Sequence, residues 1–118
     1  MKPQHSDKPQ AINQALIALE AALRDSSLWQ VKTPTIAALQ STQPFCLDTL
    51  DFSQWLQFLF LPRMHALLEQ QEVLPKKCDI ASMAEESLKH QAPQLNQTEQ
   101  AHIIECLKTI DKILSNVD

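Results

Sequence analysis

The chemistry open to a chain begins with its nucleophiles, metal ligands and proton carriers, and here they are few and scattered. Four histidines (His5, His65, His90, His102) and three cysteines (Cys46, Cys78, Cys106) are spread over 118 residues. No two histidines stand four apart, and neither H-E-x-x-H nor C-x-x-C occurs, so no zinc site or redox pair is encoded locally. The odd, widely spaced cysteines read as reduced, mostly buried thiols of a cytoplasmic protein rather than a disulfide framework. A Cys–His nucleophilic pair such as Cys46 with His65 needs a proximity that spacing alone does not supply. Glu85 and Glu86 are neighbours on a predicted helix, point to different faces and read as solvated charges. The sequence therefore assigns no catalytic residue, no metal ligand and no cofactor.

A second exclusion comes from the backbone. The chain contains no glycine, where ordinary usage of about 7% would supply roughly eight. Phosphate-cradling loops, the dinucleotide-binding G-x-G-x-x-G turn and the G-x-S-x-G nucleophile elbow all need residues without a Cβ. Tight hairpins lean on glycine for positive φ, so a hairpin-rich fold is disfavoured too. Proline and the capping residues Asp, Thr and Asn are left to make every break.

The residues that remain are suited to contact rather than catalysis. Arg63 and His65 flank Pro62, and the expected role of Arg63 is to satisfy backbone groups beside a kink or to pair with Asp48 or Asp51. The segment 41–51 holds hydroxyls, Gln43, Phe45 and two acids, and reads as an ordered loop that locks the next helix. Trp29 follows the first helix in a polar setting, where it covers the bundle end or joins a contact patch. Trp29, Gln43, Phe45, Arg63 and His65 are the candidate partner or ligand contacts.

Helices must position them. Ile12, Leu16, Leu19 and Leu23 recur at helical spacing and predict an amphipathic helix over 7–25, opened by Asp7. Thr33 reads as an N-cap with Pro34 at the first helical position, predicting a short helix over 35–40. Asp51 with Gln54 forms a capping box, and Leu50 can staple onto Trp55. The run from Phe52 to Leu61 leaves almost no polar face, which predicts a buried helix over 52–71 with a kink at Pro62. Asp79 should cap a shorter helix bearing Ile80, Met83, Ala84 and Leu88. Asn96 with Glu99 predicts the start of a last helix carrying Ile103, Leu107, Ile110 and Leu114. The expected fold is all-α, a single domain over 1–118 with about four main helices around a proline-kinked central one, residues 1–6 being a flexible tail.

The charge balance, −4 overall, argues against autonomous nucleic-acid binding, since a phosphate backbone is usually met by a basic stripe. Residues 48–72 carry Arg63 alone against Asp48, Asp51, Glu69 and Glu72, and the one adjacent basic pair, Lys76-Lys77, reads as a solvated loop. No apolar stretch approaches the ~20 residues of a membrane span. Self-association stays open.

The block Ser41-Thr42-Gln43-Pro44-Phe45-Cys46-Leu47-Asp48-Thr49-Leu50, followed by Trp55-Leu56-Gln57-Phe58 and Leu61-Pro62-Arg63-Met64, resembles the YqcC-like family of small bacterial proteins. Leu23-Arg24, Trp29, Leu74-Pro75 and Met83-Ala84-Glu85-Glu86 extend the likeness over roughly residues 10 to 115, while Ser82 stands where the family pattern suggests proline. The resemblance implies an α-helical bundle of unknown biochemical function. It also implies a genomic association with tRNA pseudouridine synthase C, whose name the family sometimes carries. Synthases of that kind place a catalytic aspartate in a larger mixed α/β fold with a glycine-containing motif, which a short, glycine-free, all-α chain cannot host. The expected function is a non-enzymatic cytoplasmic interaction or accessory module, tied to tRNA pseudouridine modification through a protein partner. The alternative is a small-molecule binder or minor enzyme with a pocket near Phe45, Trp55, Arg63 and His65.

Overall fold

Apolar stripes at helical spacing set the architecture. In the computed structural model, which describes residues 7–46, 48–75, 79–91 and 95–115, they become α1 (Asp7–Asp25), α2 (Ile36–Leu39), α3 (Phe52–Trp55), α4 (Leu61–Glu69), α5 (Ile80–Gln91) and α6 (Gln97–Ser115). A π-helical stretch, Leu56–Phe60, joins α3 to α4, so residues 52–69 form one continuous helix. No strand occurs among the described residues. The all-α bundle with four main helices expected from the sequence is the observed fold.

The stripes bury as their spacing requires. Ile12, Leu16, Leu19 and Leu23 of α1 and Ile103, Leu107, Ile110 and Leu114 of α6 are essentially inaccessible, and Ile80, Ala84 and Leu88 join them from α5. Each such large aliphatic side chain contributes roughly 1.5–3 kcal/mol by leaving water. Helix α6 packs against both α1 and α5, and its ends fix both as antiparallel neighbours. The Lys8 ammonium at the start of α1 donates to the Leu114 carbonyl at 3.3 Å, where the negative end of the α6 dipole favours a cation. Asp111, also late in α6, accepts from the Ile80 and Ala81 amides at 3.2 and 2.9 Å.

That last contact corrects the cap expected for α5. Asp79 lies one position before the helix and is exposed, but the first-turn amides are satisfied across the bundle by Asp111. The start of α6 follows the sequence: Asn96 Oδ1 accepts from the Glu99 amide at 2.7 Å and Glu99 Oε1 from the Asn96 amide at 3.1 Å. For α2 the cap moves from Thr33 to Thr35, whose Oγ1 accepts from the Ala38 amide at 3.1 Å. Both threonines flank Pro34 and can cap. The Thr49 hydroxyl, donating to the Ala38 carbonyl at 2.7 Å, pins the turn that starts at Thr35.

Helix ends reveal who does glycine's work. At the end of α1 the Leu28 amide donates to the Leu23 carbonyl and the Ser27 amide to that of Arg24, at 3.0 and 3.2 Å. At the end of α4 the Glu72 and Gln71 amides bond the Leu67 and Leu68 carbonyls at 2.9 and 3.2 Å. Both are Schellman motifs, and the left-handed position usually given to glycine is filled by Ser27 (φ 64°) and Gln71 (φ 56°). The breaks are therefore not made by proline, Asp, Thr and Asn alone.

The helix over 52–69 departs from expectation on one side. Phe52, Leu56, Phe60, Leu61 and Met64 are buried, while Trp55, Phe58 and Leu59 are half-exposed; it is not enclosed all round. Where the sequence predicts a kink, the hydrogen bonds switch register. The Leu61 amide reaches back five residues to the Leu56 carbonyl. Pro62, next in line, has no amide hydrogen with which to bond the Phe58 carbonyl. Expectations about residues 1–6, Leu47, Lys76, Lys77, Cys78, residues 92–94 and the Asp7 side chain lie outside what the structure describes.

A left-handed conformation costs an L-residue roughly 1–2 kcal/mol, part of which glycine returns as unfolded-chain entropy. Ser27→Gly and Gln71→Gly should therefore each stabilise the fold by about 0.5–1 kcal/mol, read as a raised urea midpoint with unchanged slope. Asp111→Ala, which orphans two helix-start amides, should cost about 1–2 kcal/mol. Burial, reinforced by neighbouring Asp79 and opposed by the two amide bonds, pushes the Asp111 carboxyl above its ordinary 3.8. The folded state thus holds this proton more tightly than the unfolded chain. The resulting stabilisation is full below 3.8 and is lost as pH rises through the raised value. Asp111→Asn should flatten the stability profile in that window.

Candidate functional site

The loop before the central helix is a chain of local bonds. The Ser41 hydroxyl donates to Asp48 Oδ1 at 2.5 Å and accepts from the Gln43 amide at 3.1 Å. The Cys46 amide closes on the Gln43 carbonyl at 2.9 Å, and the Cys46 carbonyl takes the Thr49 and Leu50 amides at 3.0 and 2.8 Å. Gln54 Oε1 then accepts from the Asp51 amide at 2.7 Å, as the capping box predicts, and Leu50 is buried. These bonds enforce a strained course: Phe45 (φ 57°) and Cys46 (φ 53°) are successive left-handed residues, neither of them glycine. At roughly 1–2 kcal/mol each, such a pair persists only where its surroundings over-determine it.

The strain presents the Phe45 ring, half-buried, to the central helix. It meets Trp55 edge-on at 4.8 Å and lies 5.9 Å from Phe52. Trp55 in turn stacks on Phe60 at 5.4 Å, 24° from parallel. An α-helix would turn a residue five positions on by 140° from its start. The i→i+5 bonding of the π stretch returns Phe60 to the same side as Trp55.

Two cavities are lined by Phe45. One, about 360 Å³, is lined by Gln43, Phe45, Cys46, Trp55, Phe60 and Arg63 together with Leu39, Ser41 and Leu59. The other, about 350 Å³, shares Phe45, Trp55, Phe60 and Arg63 and adds Met64, Pro75, Asp79 and Ile80. Gln43, Phe45 and Arg63, three of the five predicted contacts, thus meet in one cleft with Trp55. Trp55, inside the apolar run expected to be buried, is half-exposed and lines both cavities, as the pocket expected near Phe45, Trp55 and Arg63 requires.

The other two predicted contacts lie elsewhere. His65 is half-exposed and lines neither cavity. Trp29 sits under the Arg24 guanidinium, 4.3 Å from its ring centre, and Arg24 also pairs with Glu20 at 2.9 Å. The backbone beside Trp29 is clamped by buried Gln57, whose side-chain amide donates to the Gln30 carbonyl at 2.6 Å and accepts from the Gln30 amide at 2.8 Å. The pairing expected of Arg63 does not form: among the described residues it makes no ion pair or side-chain hydrogen bond, Asp48 being held by Ser41. Arg63 is exposed at the cleft.

Chemically the cleft offers aromatic surface, a side-chain amide, the Cys46 thiol and one cation, with the Asp79 carboxylate in the second cavity. Among the described residues no three His, Cys, Asp or Glu gather as a metal site. Burial and neighbouring Glu105 push the Cys106 thiol up, away from the thiolate form. No helix among the described residues is long and apolar enough to cross a membrane.

Residues 11–113 match the DUF446 family, described as tRNA pseudouridine synthase C. A protein of that name from Pectobacterium carotovorum is 51% identical over 65 residues, which are 55% of this chain and 17% of the relative. This chain therefore spans a small part of that relative. An uncharacterised protein of Haemophilus influenzae is 41% identical over 64% of this chain and 72% of its own length. The uncharacterised protein YqcC of Escherichia coli is 40% identical over 67% of this chain and 72% of its own length. The solution structure of E. coli YqcC superposes with a TM-score of 0.77 at 33% identity, over 92% of this chain and 89% of that one.

Gln57→Leu keeps the apolar bulk but orphans the Gln30 amide and carbonyl. It should cost about 2 kcal/mol of unfolding free energy in a denaturant titration. In Gln57→Glu a carboxylate can still accept but cannot donate. Its deficit should shrink as acid restores a donor proton.

Proposed function

Because the chain belongs to the DUF446 family together with YqcC, we propose that it is a non-enzymatic cytoplasmic interaction module. Its contact surface is the cleft formed by Gln43, Phe45, Trp55 and Arg63. One observation carries this reading: two adjacent non-glycine residues are held left-handed where a half-buried aromatic ring, packed on the edge of the core, lines two cavities. The strained course packs Phe45 against the core edge and also fixes it as a rigid, pre-set aromatic wall for recognition. The cleft supplies a recognition set rather than an acid–base set. His65 lines neither cavity, whereas Phe45, Trp55 and Arg63 line both, so the small-molecule alternative keeps three of its four named residues.

The process we assign is tRNA pseudouridine modification, through a protein partner. Support comes from the Pectobacterium relative, which bears the synthase name while the stretch like this chain is 17% of its length. We read that as a module of this kind carried beside a separate catalytic part. The synthase name is not transferred to this chain as an activity.

A photoreactive residue at Gln43, exposed on the cleft rim, tests the proposal in living cells. The expected adduct contains tRNA pseudouridine synthase C of the same organism and is lost in Arg63→Glu. An adduct with a different protein would overturn the link to tRNA modification. No protein adduct at all would overturn the interaction role.

A further inference from the structure

Resting on the interaction reading above, we infer that the cleft recognises a short partner segment in which one carboxylate stands beside one large apolar side chain. The apolar side chain packs on the Phe45–Trp55–Phe60 wall and the carboxylate pairs with Arg63.

The charges around the cleft select this chemistry. Arg63 is the only cation between residues 48 and 72 and is exposed at the wall common to both cavities. Among the described residues none of the nearby acids pairs with it: the Asp48 carboxylate keeps its charge but accepts from Ser41, Asp51 sits at the helix N-cap, and Asp79 lines the second cavity and not the first. The first cavity therefore carries a single charge, positive, on walls that are otherwise aromatic, aliphatic or neutral. A guanidinium in that setting presents a planar fork to a carboxylate and forms a charge-assisted pair. Asp79 fixes the direction, since it disfavours a carboxylate in the second cavity and leaves the Gln43 side of Arg63 as the place for it.

The same charges set a limit on the partner. The whole chain carries −4, so an extended acidic run would be repelled at distances up to the Debye length, about 8–10 Å. A single carboxylate at contact distance gains the Arg63 pair and suffers little of that repulsion. Recognition is thus local, an apolar anchor with one acid, rather than long-range steering by charge.

A phage-displayed library of random dodecapeptides, panned on the full chain, tests this. Enriched peptides should carry Asp or Glu within two positions of Trp, Phe or Leu. A synthetic peptide of that kind should lose at least tenfold in affinity when its acid becomes Asn or Gln, and again with Arg63→Glu. A Lys at the acidic position should restore binding to Arg63→Glu. Because Arg63 is exposed and has no ion-pair partner among the described residues, this variant should keep the parent's thermal midpoint, which separates lost recognition from lost folding. Enrichment of peptides without the acid, equal binding by Arg63→Glu, or no enrichment would overturn the inference. If the Gln43 crosslink forms while the peptides lack the acid, this inference falls and the interaction reading stands. If neither crosslink nor peptides are obtained, both fall.

Discussion

A missing amide hydrogen at Pro62 governs the region that distinguishes this bundle. An α-helix has to bond residue 62 to the carbonyl of residue 58, and proline cannot. Just before it, the helix carries five π-helical residues, with the Leu61 amide on the Leu56 carbonyl. This change of register rotates the following residues relative to an α-helical course. Trp55 and Phe60 thereby stack, while Leu56, Phe60 and Leu61 stay in the core. Single-turn π segments occur frequently at functional sites, and here the stretch lies directly beneath the two cavities.

The loop supplies the opposing wall by a different means. Several of its polar side chains hold it in place: Ser41 on Asp48, Thr49 on the Ala38 carbonyl, and Cys46 Sγ donating to the Ser41 carbonyl at 3.7 Å. Phe45 is consequently displayed by a frame that cannot easily relax. A flexible aromatic side chain would give up rotamer entropy on contact, whereas a fixed one has already lost it during folding. The Gln57–Gln30 amide exchange does similar service on the other side of the helix, tying the chain after α1 to the π stretch.

Much of the scaffold was legible in the sequence because it is written in local code. The i, i+3, i+4 stripes of α1 and α6, the capping boxes at Asp51 and Asn96, and the boundaries of α1 depend on residues within a turn or two of each other. What escaped depends on contacts made across the fold. Asp79 occupies the place of a cap, yet Asp111 does the capping from another helix. Gln57 looks like one of many solvating glutamines until the chain folds back to Gln30. The left-handed positions at Ser27, Phe45, Cys46 and Gln71 carry no glycine to announce them. At the cleft, Gln43, Phe45 and Arg63 were legible as a group because they crowd around two prolines. The separation of His65 and Trp29 from that group was not: His65, two residues after Arg63 on the helix, lines neither cavity, and Trp29 is held under Arg24.

The cap of α5 bears on the order in which the chain can mature. The amides of Ile80 and Ala81 find their acceptor 31 and 30 residues further along. During synthesis the beginning of α5 emerges from the ribosome before its acceptor does, so α5 and α6 reach their final hydrogen bonding as a pair. Until residue 111 has emerged, the nascent chain holds α1 and the central helix with their cleft already encoded, but not yet the helix whose packing closes the core behind them.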